Sequence, residues 1–135
     1  MKASFPRLFF AIAALCGATF SPACARTAHT DAQKDPYGLW TGTLIADQGT
    51  CEETHAPSTF QVDQTRTTFT PADGSISLHG TPDAQHQHYH LQAVVSSPGS
   101  KPFPMVLEAH PQDDTIVGTY GTPRCRAHVV LRRPQ

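Results

Sequence analysis

The chain has 135 residues, with 10 Lys or Arg, 11 Asp or Glu and 8 His, so its formal net charge at pH 7 is −1. This length suffices for one domain with one modest core. The charge balance excludes a nucleic-acid partner, because phosphate backbones need a basic face and Arg132-Arg133 is too short to supply one.

The first 25 residues have the pattern of a secretory signal peptide. Lys2 and Arg7 flank the start of an apolar run, and Ala23-Cys24-Ala25 supplies small residues for a cleavage site. The apolar run is shorter than the ~20 residues that a membrane-spanning helix needs. Cleavage after Ala25 removes two basic residues and no acidic one, so eleven acidic and eight basic side chains stay, with a net charge of −3.

Cys24 allows a second route of export. A bacterial lipoprotein signal also ends in a small residue followed by Cys, and Ser21-Pro22-Ala23-Cys24 resembles that sequence. Lipidation of Cys24 would make the protein a structural envelope lipoprotein on a membrane surface. Without it we expect a periplasmic or secreted protein that contacts no membrane. The polar residues 26–36 predict a flexible linker in both cases.

Residues 37–135 predict a single all-β domain. Apolar and polar residues alternate in short runs separated by Pro, Gly and Asp, and helical periodicity is absent. Eight strands are predicted: Leu39–Ala46, Thr59–Asp63, Arg66–Thr70, Ser75–Gly80, Gln87–Val95, Phe103–Ala109, Thr115–Tyr120 and Arg126–Arg132. Residues 71–74 and 111–114 are turn sequences. Short connections between eight strands predict a small antiparallel up-and-down β-barrel.

Two cysteines, Cys51 and Cys125, remain after the signal peptide. One follows the first predicted strand and the other precedes the last. They lie close together only if those two strands are neighbours, which is the arrangement of a closed barrel. In an oxidising compartment the pair is predicted to form a disulfide.

Strand alternation predicts which side chains fill the interior. They are Trp40, Leu44, Phe60, Val62, Phe69, Ile76, Leu78, Tyr89, Leu91, Ala93, Phe103, Met105, Leu107, Ile116, Tyr120, Val129 and Leu131. An eight-stranded barrel is just wide enough for side chains to fill it, so we expect a packed core rather than a large cavity.

Gly38-Leu39-Trp40 resembles the start of a lipocalin, in which a Gly-x-Trp opens the first strand. The resemblance implies that Trp40 closes one end of the barrel beneath a basic side chain, which here is Arg132 or Arg133. The chain is much shorter than a typical lipocalin. It also has Gln-Asp-Asp at 112–114, where the lipocalin signature reads Thr-Asp-Tyr.

Pairing apolar residues with each other predicts two registers along the strand at 87–95. Leu78 is expected opposite Tyr89, and Leu91 opposite Leu107. Both registers bring polar side chains together on the outer face.

Those registers gather imidazoles around His88 and His90. His79 and His110 are expected opposite His88 from either side, and Glu108 opposite His90. Imidazole ligands with a carboxylate suit Zn²⁺, Cu²⁺ or Ni²⁺, so these five side chains are the predicted metal ligands.

The sequence favours a non-enzymatic exported binding protein over an enzyme. Gly-x-Ser-x-Gly is absent, and Ser96-Ser97 lies in a Pro/Gly-rich loop with no sign of an orienting base. The irregular, polar loops Asp47–Pro57 and Ser97–Pro102 are the predicted binding elements, for a protein partner or for a small molecule at the barrel mouth. A transition-metal-binding module is the first alternative, and the lipoprotein is the second.

Overall fold

The computed structural model describes residues 31–72 and 74–135. They form nine antiparallel strands: β1 Gly38–Thr43, β2 Ile45–Gly49, β3 Pro57–Val62, β4 Thr67–Thr70, β5 Leu78–Gly80, β6 Tyr89–Val95, β7 Phe103–Gln112, β8 Thr115–Gly121 and β9 Cys125–Leu131. A single 3₁₀ turn spans Glu52–Thr54. The strands form one sheet in the order β1-β3-β4-β5-β6-β7-β8-β9-β2. The predicted signal peptide, Cys24 and residues 26–30 lie outside the described residues.

The first predicted strand closes the barrel by pairing on both sides. Its first part, β1, pairs with β3, and its second part, β2, pairs with β9. Thr41 is bridged to Arg132 in the same register in which Ile45 pairs with His128. The predicted β-barrel is therefore confirmed in nearly closed form. The described strands number nine rather than eight, because the predicted strand Leu39–Ala46 is interrupted at Leu44.

Gly42 allows the close approach that this double pairing requires. A Cβ atom at this position would lie only 2.4 Å from the carbonyl oxygen of Val130 in β9. A larger residue would push β1 away from β9 and loosen the closure of the barrel.

The predicted interior is also confirmed. Of the seventeen predicted side chains, all but Ile76, Ala93 and Phe103 are buried, and these three pack against the core. Four aromatic rings fill the barrel along its length. Tyr89 meets Phe60 edge to face with ring centroids 5.3 Å apart. Phe69 lies 6.5 Å from Phe60 and 6.2 Å from Tyr120. The core between the two ends is therefore occupied by side chains.

Trp40 seals one end of the barrel. Its side chain is completely buried, and its indole Nε1 donates a hydrogen bond to the carbonyl of Pro36 at 2.8 Å. Ala32 is completely buried as well, and its amide donates to the carbonyl of Asp113 at 2.7 Å. Residues 31–36, half of the predicted linker, thus pack against the barrel as a plug over this end.

Arg133 covers the indole from outside. Its guanidinium carbon lies 4.2 Å from the centre of the Trp40 ring, and Nη2 donates to the carbonyl of Asp35 at 2.6 Å. Of the two arginines suggested by the sequence, Arg133 and not Arg132 makes this contact. Arg132 is exposed, and its backbone pairs with Thr41. Successive strand residues point to opposite faces, so only one of the two reaches the indole.

Both predicted turns, residues 71–74 and 111–114, are present, but the second is shorter than predicted. The amide of Gly74 donates to the carbonyl of Pro71 at 2.9 Å, which closes the first turn. In the second, β7 continues through Pro111 to Gln112, and only residues 113–114 connect it to β8. Proline is tolerated in β7 at this point because the pairing with β6 has already ended at Ala109.

The disulfide between Cys51 and Cys125 is present, with Cα atoms 5.0 Å apart. It joins the chain after β2 to the start of β9, at the end opposite Trp40. A disulfide is typical of proteins in a non-reducing environment. Within the described residues, no helix is long and apolar enough to cross a membrane.

One predicted register is confirmed and the other is wrong. Leu91 lies opposite Leu107, as predicted. Leu78 does not lie opposite Tyr89, because His79 pairs with Gln92, a shift of four positions along β6. A shift by an even number leaves every side chain on its predicted face, so alternation could not have detected it.

Candidate functional site: the open mouth of the barrel

The end opposite Trp40 is an open mouth surrounded by four connections. Strands β2, β4, β6 and β8 all run towards this end, and β3, β5, β7 and β9 leave it. The four connections are residues 50–56, 71–77, 96–102 and 122–124. We call this end the mouth and the end closed by Trp40 the sealed end.

The mouth encloses a cavity of about 880 Å³ that draws lining residues from all four connections. This volume lies in the range of about 300–1,000 Å³ that is typical of small-molecule sites. Its apolar wall contains Ile76, Val95, Phe103 and Met105. Met105 is only 4% exposed, so the cavity ends against the packed core.

Both predicted binding loops line the cavity, through Glu52 and Glu53 on one and Ser97 and Lys101 on the other. Residues 71–77 and 122–124, which were not predicted as binding elements, also line the cavity. A signal for them was available, because alternate connections of an up-and-down meander come out at the same end of the barrel.

The connection 50–56 is fixed against the barrel at three points. Cys51 is bonded to Cys125, and the amide of Thr50 donates to the carbonyl of Arg124 at 2.9 Å. The hydroxyl of Tyr120, which belongs to a fully buried residue, donates to Oε1 of Glu53 at 3.0 Å. The half-buried Glu53 carboxylate is thereby held beside the cavity.

Charged side chains of both signs line the mouth. Glu52 and Glu53 belong to the same 3₁₀ turn, whereas Lys101 and Arg124 belong to two other connections. Among the described residues, neither Lys101 nor Arg124 forms an ion pair. His55 is turned towards its own backbone, with Nδ1 2.7 Å from the carbonyl oxygen of Glu52.

On the outer wall, three of the five predicted metal ligands meet. His90 lies opposite Glu108, as predicted. One Glu108 oxygen contacts Nδ1 of His90, and the other lies 2.7 Å from Nε2 of His88. The carboxylate therefore sits between two exposed imidazoles, with a hydrogen bond to His90 and a close contact with His88.

Of the other two predicted ligands, His79 lies elsewhere and His110 lies just past the end of the β6–β7 ladder. His79 pairs with Gln92 instead of His88, and its Nδ1 is 3.2 Å from Oγ1 of Thr68. His110 lies beyond the β6–β7 ladder, which begins at Tyr89, so it has no partner in β6 there. In residues 31–72 and 74–135, no three His, Cys, Asp or Glu side chains are arranged to hold a metal ion.

A second outward imidazole–carboxylate contact was missed by the sequence analysis. Nδ1 of His128 in β9 lies 2.6 Å from Oδ1 of Asp47 in β2. Asp47 occupies an irregularity in the β2–β9 register between Ala46 and Gln48. Bulges of this kind redirect a side chain, and alternation alone does not predict them.

Near the sealed end, Tyr89 has a strongly perturbed hydroxyl. Burial, helped by the nearby Asp83 and Tyr37, raises the pKa of Tyr89 from 10.0 to about 12. The hydroxyl has no hydrogen-bond partner among the described residues. This group is therefore neutral at physiological pH, and it belongs to the core rather than to the mouth.

No family model, curated protein or solved structure matches this chain. The lipocalin resemblance stays a prediction, and the function has to be argued from the site itself.

Proposed function

We propose that this is an exported, non-enzymatic binding protein that takes a small amphipathic molecule into the mouth of its barrel. The observation that carries the proposal is the cavity of about 880 Å³ at the mouth. Small-molecule sites are typically concave and largely apolar, with a few polar groups that orient the ligand. The mouth is concave, with one apolar wall and several polar groups around it, and the other end is sealed by Trp40 and residues 31–36.

The packing of the barrel limits how far a ligand enters. The side chain of Met105, which is buried, closes the cavity from below. A ligand would therefore rest on the core with its apolar part and present its polar part to the four connections. This is binding at the mouth and not inside the barrel.

Export is supported by the disulfide, which is stable only outside a reducing compartment. The predicted signal peptide over residues 1–25 points the same way. Binding without catalysis is supported by the mouth's polar groups. Glu53 accepts from Tyr120, and His55 faces a backbone carbonyl rather than a hydroxyl nucleophile. A protein partner, a metal site and lipidation at Cys24 stay predictions.

Two adjacent residues in β6 provide a matched test. Val95 lines the mouth, whereas Val94 points outward and is 70% exposed. The neutral apolar fluorophore N-phenyl-1-naphthylamine is titrated into the unmodified protein, Val95→Asp and Val94→Asp. The unmodified protein and Val94→Asp should bind it equally well, and Val95→Asp should bind at least about tenfold more weakly, because a carboxylate then faces the apolar wall.

Phe103→Asn serves as a second mouth variant in case Val95→Asp folds poorly, since Phe103 is half-buried at the rim. Folding of each variant is checked by the fluorescence of Trp40, the single tryptophan, which lies at the opposite end. The proposal is wrong if the unmodified protein does not bind the fluorophore, or if both well-folded mouth variants bind it as tightly as Val94→Asp.

A further inference from the structure

We propose that the mouth selects amphipathic molecules that carry an anionic group, and that Lys101 and Arg124 bind this group. The inference rests on the proposed function and adds the chemical class of the ligand. It predicts a molecule with an apolar chain or ring and one carboxylate or similar anion at its end.

The apolar requirement follows from the wall of the cavity. Ile76, Val95, Phe103 and Met105 come from three different strands or connections and face the same space. All four pack against or belong to the hydrophobic core. An apolar group placed here removes both its own surface and theirs from water.

The anionic requirement follows from the two cations. Lys101 lies in the connection between β6 and β7, and Arg124 in the connection between β8 and β9. Because β7 and β8 are neighbours, and Val106 in β7 pairs with Gly121 in β8, these connections leave the sheet side by side. Both cations line the cavity, and neither has an ion-pair partner in the described part of the chain.

The two acidic side chains of the mouth are placed differently. Glu52 and Glu53 both lie on the connection 50–56, and Glu53 already accepts a hydrogen bond from Tyr120. These carboxylates do not attract an anion, so Lys101 and Arg124 are the charged groups of the mouth that can bind one. A guanidinium can bind a carboxylate through two parallel hydrogen bonds, which makes Arg124 the stronger of the two partners.

Three probes with the same ten-carbon chain separate the charge effect from the apolar effect. Decanoate, 1-decanol and decylammonium are titrated into the full exported chain by calorimetry at pH 8. Decanoate should bind at least about tenfold more tightly than decylammonium, since each charge-assisted contact is worth about a factor of ten. Raising the salt concentration should weaken decanoate binding and leave decanol binding nearly unchanged.

The variant Lys101→Gln/Arg124→Gln should bind decanoate at least about tenfold more weakly and decanol as before. The control Lys34→Gln/Arg132→Gln changes the net charge by the same amount at the sealed end, and it should bind decanoate like the unmodified protein. Both pairs are surface substitutions of exposed side chains, so folding should be preserved.

The outcomes separate the two proposals. If none of the three probes binds, the proposed function itself fails. If the probes bind but decanoate has no advantage over decylammonium, the mouth binds ligands without selecting anions and this inference is wrong. The inference is also wrong if the sealed-end control loses as much decanoate affinity as the mouth variant, because the effect would then come from net charge alone.

Discussion

The two ends of this barrel differ in how their side chains and connections are packed. At the sealed end, a buried indole, a packed plug of residues 31–36 and a covering guanidinium exclude water. At the mouth, four connections spread around a cavity whose cations lack ion-pair partners in the described residues. If the mouth binds a ligand as proposed, stability and binding are divided between the two ends. Substitutions at the sealed end should change the free energy of unfolding, and those at the mouth should change affinity.

The disulfide departs from this pattern, because it lies at the mouth but is expected to stabilise the fold. Replacing Cys51 and Cys125 together by Ser should lower the free energy of unfolding by up to about 4–5 kcal/mol. This is the chain-entropy value for cross-linking residues 74 apart. Urea unfolding followed by Trp40 fluorescence measures it. Addition of a thiol reductant to the unmodified protein should produce a similar loss, and unchanged stability in both experiments would contradict the closure role of the disulfide.

Trp40→Ala should be the most damaging single substitution at the sealed end. It removes a completely buried indole and leaves a cavity, at a cost of about 3–5 kcal/mol. The matched mouth substitution is Phe103→Ala, which removes a half-buried ring and should cost clearly less. Urea unfolding followed by far-ultraviolet circular dichroism compares them, because Trp40→Ala lacks the fluorophore. Equal losses of unfolding free energy in the two variants would show that the sealed end does not contribute more to stability than the mouth.

Alkaline pH should weaken the sealed end selectively. The pKa of Tyr89 is about 12 in the fold and near 10 in the unfolded chain, so the unfolded state loses its proton first. The contribution of Tyr89 is complete below pH 10 and decreases as the pH rises from 10 to 12, by about 2–3 kcal/mol in total.

The control for this pH effect is Tyr89→Phe, which keeps the ring and removes the ionisable group. Unfolding free energies of both proteins are measured between pH 9 and pH 12. The difference between them should shift in favour of Tyr89→Phe as the pH rises. Parallel curves would show that the hydroxyl of Tyr89 titrates alike in both states.

The smallest expected effect distinguishes the two neighbouring arginines. Arg133→Gln removes the contact with Trp40 and the hydrogen bond to the Asp35 carbonyl, and should cost about 1 kcal/mol. Arg132→Gln alters an exposed side chain and should cost less than about 0.5 kcal/mol. The difference is measured by thermal unfolding at low and high salt. Equal effects would mean that the cation over the indole adds no stability.

Much of the fold could be predicted from two patterns. The alternation of apolar and polar residues indicates which face each side chain occupies, and the positions of the cysteines indicate which strands are neighbours. The period of two assigned all seventeen interior side chains to the correct face. The positions of Cys51 and Cys125 predicted that the first and last strands are neighbours, and therefore that the barrel is closed.

The features that the sequence did not reveal depend on exact register or on a single backbone irregularity. Pairing His79 with Gln92 rather than His88 keeps every face unchanged, so nothing in the apolar pattern opposes it. The interruption at Leu44 and the bulge at Asp47 likewise depend on how one strand fits between two neighbours. For this reason only part of the predicted metal-ligand group on the outer wall was placed correctly. Glu108 and His90 lie in the confirmed register, and His79 does not.

The mouth was predicted in part because its loops stand out as polar and irregular. Residues 71–74 and 122–124 are short and rich in turn residues, so they were interpreted as simple connections. Residues 75–77 were predicted as part of the strand Ser75–Gly80, but the strand begins only at Leu78. Their contribution to the cavity appears only when the direction of each strand is considered together with the closure of the barrel.

A map of backbone amide chemical shifts locates the ligand site on the barrel. Uniformly ¹⁵N-labelled protein is titrated with N-phenyl-1-naphthylamine, and the two-dimensional spectra are compared. Binding at the mouth should shift the amides of Thr50, Gly99, Lys101 and Thr122 and leave the indole signal of Trp40 and the amides around Glu108 unchanged. Shifts concentrated at the sealed end or around His88 and His90, or no shifts at saturating probe, would contradict it.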